Sequence, residues 1–306
     1  MITFEKLEEM REALKKKYTL LIIIGIMVVV GIALIIFALE LPFPFIVFGL
    51  ICYILIAVLC TSKQAKEYSL AFKNYFVKST LEKIFTNLKY YPDNGISRET
   101  IASTNMMRMG DRYSSNDLVT GNYKNIGFTQ SDVHIEEEHE TRDSDGHTSR
   151  YYVTIFKGRW MIFDFNKKFK ADVQVAQKGF GNNIVGSWFS SEEKFKKVEM
   201  ESQEFNKAFN VYAQQPLDAF YILTPKIMEK IKNLDERNEG KLLLCFIDNK
   251  LHVGIYNYED SFEHKSVFKT TDEEKTRNDI STDIQKITMF IDELELDNDL
   301  FKNSNI

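Results

Sequence analysis

From Thr19 to Leu39 the chain runs through apolar positions without one ionisable side chain, and Leu41 to Cys60 does the same. Each run meets the roughly 20 residues that an α-helix needs to cross the hydrocarbon core of a bilayer. In lipid a helix satisfies its own backbone hydrogen bonds, so β-branched residues such as Ile22, Val28 and Ile35 count little against it. Pro42 and Pro44 cannot continue a helix ladder and suit a very short turn between antiparallel spans. A long buried helix in a soluble core would account for one such run more readily than for two adjacent ones. A cleaved signal peptide fits worse, because its apolar centre is shorter and a small-residue cleavage site follows it; here Glu40-Leu41-Pro42 and a second run follow. The pattern predicts a transmembrane hairpin over residues 18–61.

Before the hairpin, Phe4, Leu7, Met10 and Leu14 stand three or four apart among charges. This amphipathic helix over residues 1–17 lies on the membrane surface, packs on the rest of the chain, or extends the first span. After the hairpin, helical spacing continues from Ser62 to Leu88 through Phe72, Tyr75, Phe76, Ile84 and Phe85, a stalk helix within residues 62–92 that stops at the breaker Tyr91-Pro92-Asp93-Asn94-Gly95. Ser97 predicts a capped helix reaching Met107, with Glu99 in its first turn. From Asp117 the pattern becomes alternation. Leu118–Tyr123, Lys124–Phe128, Val133–Glu138, Tyr151–Phe156, Arg159–Phe165 and Ala171–Ala176 read as strands of an antiparallel sheet, with Gly121, Gly127 and Gly158 at bends or close approaches. Gly179 to Gly186 reads as a flexible link, followed by Trp188 and Phe189 as apolar anchors.

Further on, Ser202 caps a short helix presenting Phe205 and Phe209, and Thr224-Pro225 opens another bearing Ile227, Met228 and Ile231. Lys241–Asp248 and Lys250–Tyr256 form a strand pair across a tight turn at Asp248-Asn249. Ile280, Ile284, Ile287, Phe290 and Ile291 predict a closing helix between Asp272 and Leu296, and Asn298 to Ile306 a frayed tail. The fold class is α+β: an N-terminal two-helix transmembrane hairpin followed by a cytoplasmic domain of antiparallel sheet with packed helices. That domain covers residues 93–306, with a division into 93–190 and 191–306 left open.

Charge sharpens this picture. Lys15, Lys16 and Lys17 precede the first apolar run, Lys63 and Lys66 follow the second, and the turn carries only Glu40, so the positive-inside rule puts both ends in the cytoplasm. Ser62–Pro92 holds six basic and two acidic residues, whereas the chain as a whole carries a net charge of −5; the stretch from Asp93 onward is therefore acidic. Basic side chains beside a cytoplasmic leaflet gain about 1 kcal/mol each from anionic lipid, and an acidic body is repelled by it. The same balance argues against nucleic acid, which needs a concentrated basic face on the domain that binds it. The three cysteines, Cys52, Cys60 and Cys245, form no CxxC spacing and suggest neither a zinc site nor a disulfide framework. Cys60 reads as a small apolar residue near the interface, with lipidation in a eukaryotic host as its alternative.

Candidate chemistry is sparse. The polar loop from Glu136 to His147 offers carboxylates with His139 and His147, which a metal would accept; against this, Asp145-Gly146 is a hairpin signal and no HExxH or DxDxDG spacing accompanies it. Gly179-Phe180-Gly181 lacks the flanking strand, helix and GKS or GKT of a phosphate loop, so no cofactor is expected. Glu201, Glu204 and His252 invite an acid–base hypothesis, and capping and turn-making around Ser202 is their structural alternative.

The succession Glu201-Ser202, Glu204-Phe205, Phe209, Val211-Tyr212, Ala219, Tyr221-Ile222-Leu223-Thr224-Pro225 and Met228 resembles the bacterial membrane proteins grouped as domain of unknown function 3137. Phe156-Lys157-Gly158, His252-Val253, Ile255 and the two-span hairpin also fit, so the resemblance covers most of the chain. It implies a bacterial membrane protein with its domain in the cytoplasm and no assigned activity, and it carries over no catalytic residues. The expected function is a membrane-anchored interaction or scaffold module at the inner leaflet, with the bilayer and a protein as partners. The alternative is a membrane-anchored hydrolase or transferase using Glu201, Glu204 and His252.

Overall fold

Alternating apolar positions between Thr86 and Tyr256 pair into one sheet, and the chain sorts into two compact units. The computed structural model describes residues 2–39, 44–142, 146–165, 172–180, 195–264 and 266–296. The expected hinge at Glu40-Leu41-Pro42-Phe43, most of the Gly179–Gly186 link, Trp188, Phe189 and the tail from Asn298 lie outside the described residues. The first unit comprises Met1–Thr80 and Glu263–Ile280; the second comprises Leu81–Phe262 and Ser281–Ile306.

In the first unit α1 (Phe4–Leu39) runs unbroken, so the amphipathic N-terminal stretch extends the first apolar run as one helix. α2 (Pro44–Phe72) passes into a π-helical segment, Lys73–Lys78, and then into α3 (Ser79–Ile84). The helical stalk thus ends at Ile84 instead of Leu88. Leu7 and Leu14 are buried, as are Phe72, Phe76 and Val77. Residues 263–280 are fastened to these helices by polar contacts. The buried Arg11 donates from Nη1 to the Val267 carbonyl at 2.8 Å, Lys73 Nζ meets Glu263 Oε1 at 2.5 Å, and the Tyr75 hydroxyl donates to Glu273 Oε1 at 2.7 Å.

The second unit is organised by its strands: β1 (Thr86–Tyr91), β2 (Arg112–Tyr123), β3 (Ile126–Arg142), β4 (Thr148–Asp164), β5 (Val173–Gln177), β6 (Lys196–Val198), β7 (Phe209–Ala213), β8 (Lys241–Ile247) and β9 (Lys250–Tyr256). Among the described residues they form one sheet in the order β1-β2-β3-β4-β9-β8-β5-β7-β6, with antiparallel neighbours throughout. The expected antiparallel sheet is there, but details differ from the sequence reading, among them that Tyr151–Phe156 and Arg159–Phe165, expected as two strands, are the single strand β4. β1 pairs with β2, Tyr91 opposite Leu118, where helical spacing had been read. The separate strands expected at Lys124–Phe128 and Val133–Glu138 are one strand, entered by a turn in which Lys124 and Asn125 both take positive φ, 47° and 63°. The polar loop expected from Glu136 is largely ladder, because β3 and β4 stay paired out to Arg142 and Thr148. Charges stabilise that extension across the strands: Arg150 Nε reaches Glu140 at 2.7 Å and Glu138 at 3.2 Å.

Other local signals act as read. Ser97, Ser202 and Thr224 cap α4 (Arg98–Ala102), α5 (Gln203–Ala208) and α7 (Pro225–Arg237), accepting from the backbone N–H three residues on. α4 is shorter than expected, ending at Ala102. Asp248 and Asn249 make the tight turn with φ of 50° and 57°. α8 (Glu273–Leu294) buries Ile280, Ile284, Ile287, Phe290 and Ile291.

Register divides the side chains between the two faces of the sheet. Ile162, His252, Cys245, Gln174 and Tyr212 are successive partners across β4, β9, β8, β5 and β7, so they share one face. Ile101, Met106 and Met107 pack in the core on that side, and Thr104 O accepts from Gln174 Nε2 at 2.7 Å. On the opposite face Phe163 stacks on Phe290 of α8, ring centroids 6.2 Å apart, and Phe209 on Phe205 of α5, 4.8 Å apart.

Gly254 sits opposite the buried Trp160 because the indole needs the space: an added Cβ would lie 2.8 Å from Cζ3 and 2.9 Å from Cε3. Gly254→Ala is expected to destabilise the second unit by about 1–3 kcal/mol, the range for overpacking a core. Denaturant unfolding of the purified chain measures it, and a loss below about 0.5 kcal/mol, the scatter of ordinary surface substitutions, would mean that the indole yields freely.

Candidate functional site

The acid–base set weighed from the sequence is not assembled. His252 is buried on β9, where the Trp160 Nε1–H points at its Nδ1 at 3.4 Å and burial pushes its pKa down to about 4. Glu204 is exposed on α5 and paired to Lys232 Nζ at 2.6 Å, and Glu201 is exposed just before the Ser202 cap. α5 packs through Phe205 on Phe209, three residues from Tyr212 along β7 and therefore on the face of the sheet opposite His252. The sheet separates the carboxylates from the imidazole.

The two histidines of the acidic hairpin have local partners. His139 stacks on Tyr151, centroids 5.5 Å apart, and its Nε2 lies 3.2 Å from Glu137, which also holds Arg108 at 2.9 Å. His147 is exposed just before β4. Among the described residues neither histidine is grouped with two further ligand side chains at metal-binding distances.

A polar network that sequence reasoning missed lies on the helix-covered face of the sheet. Asp132 and Arg159 are cross-strand partners, both buried. The Asp132 carboxylate accepts from the Ser261 N–H at 2.6 Å and its hydroxyl at 2.9 Å. Arg159 donates to Ser261 Oγ, to the Asp283 carboxylate at 2.8 Å and to the Asp283 carbonyl at 2.8 Å. Burial pushes the Asp132 carboxyl well up, against the pull of Arg159. The cleft beside Ser261 has a volume of about 10 Å³, the space of one water, so this network braces the fold and holds no substrate.

The strongest candidate is a surface. β7 ends at Ala213, Gln214 Nε2 donates to Asp172 at 2.9 Å, and Pro216 opens the short helix α6 (Pro216–Ile222), which stops at Leu223 before the Thr224 cap. Ala219, Ile222 and Leu223 turn inward and are buried, while Leu217, Phe220 and Tyr221, at i, i+3 and i+4, turn outward. Leu217 is 79% exposed, and the two aromatic rings beside it are also exposed. A clustered exposed aromatic and aliphatic face on one helix is a candidate contact surface. Its spacing was legible between Pro216 and Thr224, but α6 is apolar on both sides, so the sequence did not say which side faces out.

Residues 154–296 match the model of a family described as "Protein of unknown function (DUF3137)". Over this stretch the chain matches the DUF3137 family. The match begins in β4 and ends after α8, taking in α6 and every motif quoted for the resemblance except the two apolar helices. The DUF3137 region is thus about half of the chain, less than the resemblance suggested. Curated proteins give no match. Among solved structures the chain is similar to the crystal structure of the mycobacterial trehalose monomycolate transport factor A, TtfA, at 11% identity and a TM-score of 0.39, covering 74% of this chain and 94% of that one. At that similarity nothing about this chain follows from it.

Proposed function

We propose that this protein is a membrane-anchored interaction module, in which α1 and α2 hold the DUF3137 region at the cytoplasmic face of a bacterial cell membrane and α6 receives a protein partner. The observation that carries the reading is how bare the two apolar runs are among the described residues. Leu34 is 64% exposed, Phe48 67% and Leu59 76%, alongside many other large apolar side chains on both helices. Two helices that are long and apolar enough to span a bilayer and stay bare along their apolar runs suit lipid as solvent; a core helix would be covered. The lysines at Lys15, Lys16, Lys17, Lys63 and Lys66 favour both ends on the cytoplasmic side. Tethering then raises the effective concentration of α6 near membrane-bound partners.

Carbonate washing and tag accessibility at both termini test the anchor. Full extraction by carbonate, or a tag reachable from outside, would end this reading. For α6 the expected result is that Leu217→Ser with Phe220→Ser lowers crosslinked partner recovered from native membranes by roughly tenfold or more. The unfolding free energy of the same variant should stay within about 0.5 kcal/mol of the parent, since the side chains removed are exposed. Equal recovery with and without the substitutions would remove α6 as the docking face.

A further inference from the structure

The first unit carries an apolar groove at the lysine-flanked end of the two long helices. Tyr18 and Ile22 of α1 form one wall, Tyr53, Ala57 and Val58 of α2 another, and Phe268 from residues 263–280 a third. Its volume is about 360 Å³, within the range of small-ligand sites. Two hydroxyls of the lining are spoken for, because Tyr53 donates to the Leu21 carbonyl and Thr61 to the Ala57 carbonyl at 2.9 Å. Phe268 packs against Tyr18 at 6.2 Å between ring centroids, so a segment remote in sequence completes the enclosure and distinguishes this place from the open helix surface around it.

Charge stands directly beside the apolar walls. Lys15 precedes Tyr18 by three residues and Lys17 precedes Leu21 by four, which puts both lysines on the stripe of α1 that lines the groove. Lys17 Nζ donates to the Cys60 carbonyl at 2.6 Å and has two further protons to offer. Lys15 is shared with Glu12 at 3.6 Å. Lys269, exposed, follows Phe268. An apolar slot with ammonium groups one turn beyond its end matches a molecule that is hydrocarbon at one end and anionic at the other.

We propose that this groove binds an anionic phospholipid of the leaflet on the lysine side, one acyl chain lying between Tyr18, Ala57 and Phe268 and the phosphate meeting Lys17 and Lys269, with Lys15 beside them. The proposal rests on the membrane anchoring argued above and adds a lipid class and a site to it. Lysines at a membrane surface favour anionic over zwitterionic lipid, and the enclosure by Phe268 gives that preference a fixed address.

The test uses the full chain in nanodiscs containing phosphatidylglycerol or phosphatidylcholine with a photoreactive group midway along one chain, and maps the labelled residues by mass spectrometry. Groove residues are expected to label roughly fivefold more with the anionic probe than with the zwitterionic one, and more than Leu34 on the open helix surface. In the unaltered protein, unlabelled phosphatidylglycerol should compete the label away and phosphatidylcholine should not. Ala57→Trp, which fills the slot, should abolish groove labelling; Lys17→Gln with Lys269→Gln should bring the two probes to parity. Equal labelling of the groove and Leu34 by both probes, or anionic labelling that survives Ala57→Trp, would overturn the site while leaving the anchor in place. A chain that never enters the discs would overturn the anchor, and the site with it.

Discussion

Arg159→Ala is expected to cost about 3–5 kcal/mol of stability, the penalty for stranding the buried Asp132 carboxylate by removing the cation beside it. Arg159 is buried, spans Ser261 and Asp283, and pairs across the strands with Asp132, whose carboxyl is already pushed up by burial. Removal leaves Asp132 with only the Ser261 hydrogen bonds. Denaturant unfolding followed by tryptophan fluorescence measures the loss. Replacing Asp132 by Leu and Arg159 by Met together is expected to cost less than Arg159→Ala alone, since the buried carboxylate then leaves with its cation and the half-buried Asp283 keeps Lys286 at 3.5 Å. A single-variant loss under about 1 kcal/mol, typical of an exposed pair, would mean that water reaches the network.

The second large effect is on pH. In the unfolded chain an imidazole takes up its proton below about pH 6.5. His252 in the fold does so only at about 4, chiefly because burial opposes the charge, with Lys250 adding to it. Between those values the unfolded state holds the extra proton, so stability falls as pH drops through the window, by up to roughly 3 kcal/mol, and His252 contributes no slope above it. Trp160 pointing its N–H at Nδ1 fits the neutral ring. His252→Phe should therefore flatten the limb between about pH 6.5 and 4 relative to the parent. The comparison between variants matters because other groups titrate too. His264 is also pushed down by burial and works in the same direction, whereas Asp132, pushed up, gains stability as pH falls. Parallel pH profiles for the two proteins would show that His252 is hydrated.

Much of the fold was legible because its signals are local. Ser202 and Thr224 cap because a hydroxyl can reach the N–H three residues on, and Asp248-Asn249 turns because those residues tolerate positive φ. What escaped depends on partners distant in sequence. Lys124 at positive φ is no turn signal, yet the pairing of β2 with β3 on either side imposes it. Glu140 reads as loop because it is charged, and becomes strand because Arg150 faces it across the ladder. Thr86–Tyr91 follows a helix in phase with helical spacing, and only Leu118–Asn122 beside it makes it an edge strand. The candidate site was harder still. Glu204 and His252 are linked by family motif but separated by the sheet, while Leu217, Phe220 and Tyr221 were not read as an exposed face because apolar residues are expected to be inside.

The seam between β4 and β9 has a consequence for how the chain acquires its structure. β2, β3 and β4 follow one another through short connections and can zip in sequence, and β8 and β9 close across a two-residue turn. Gly158–Asp164 must instead find Lys250–Tyr256 across some ninety intervening residues, and that large loop has to be closed before any contact within the seam rewards it. A nascent chain emerging from the ribosome therefore holds the first meander complete while its inner edge waits, unpaired, for the last strand to be synthesised.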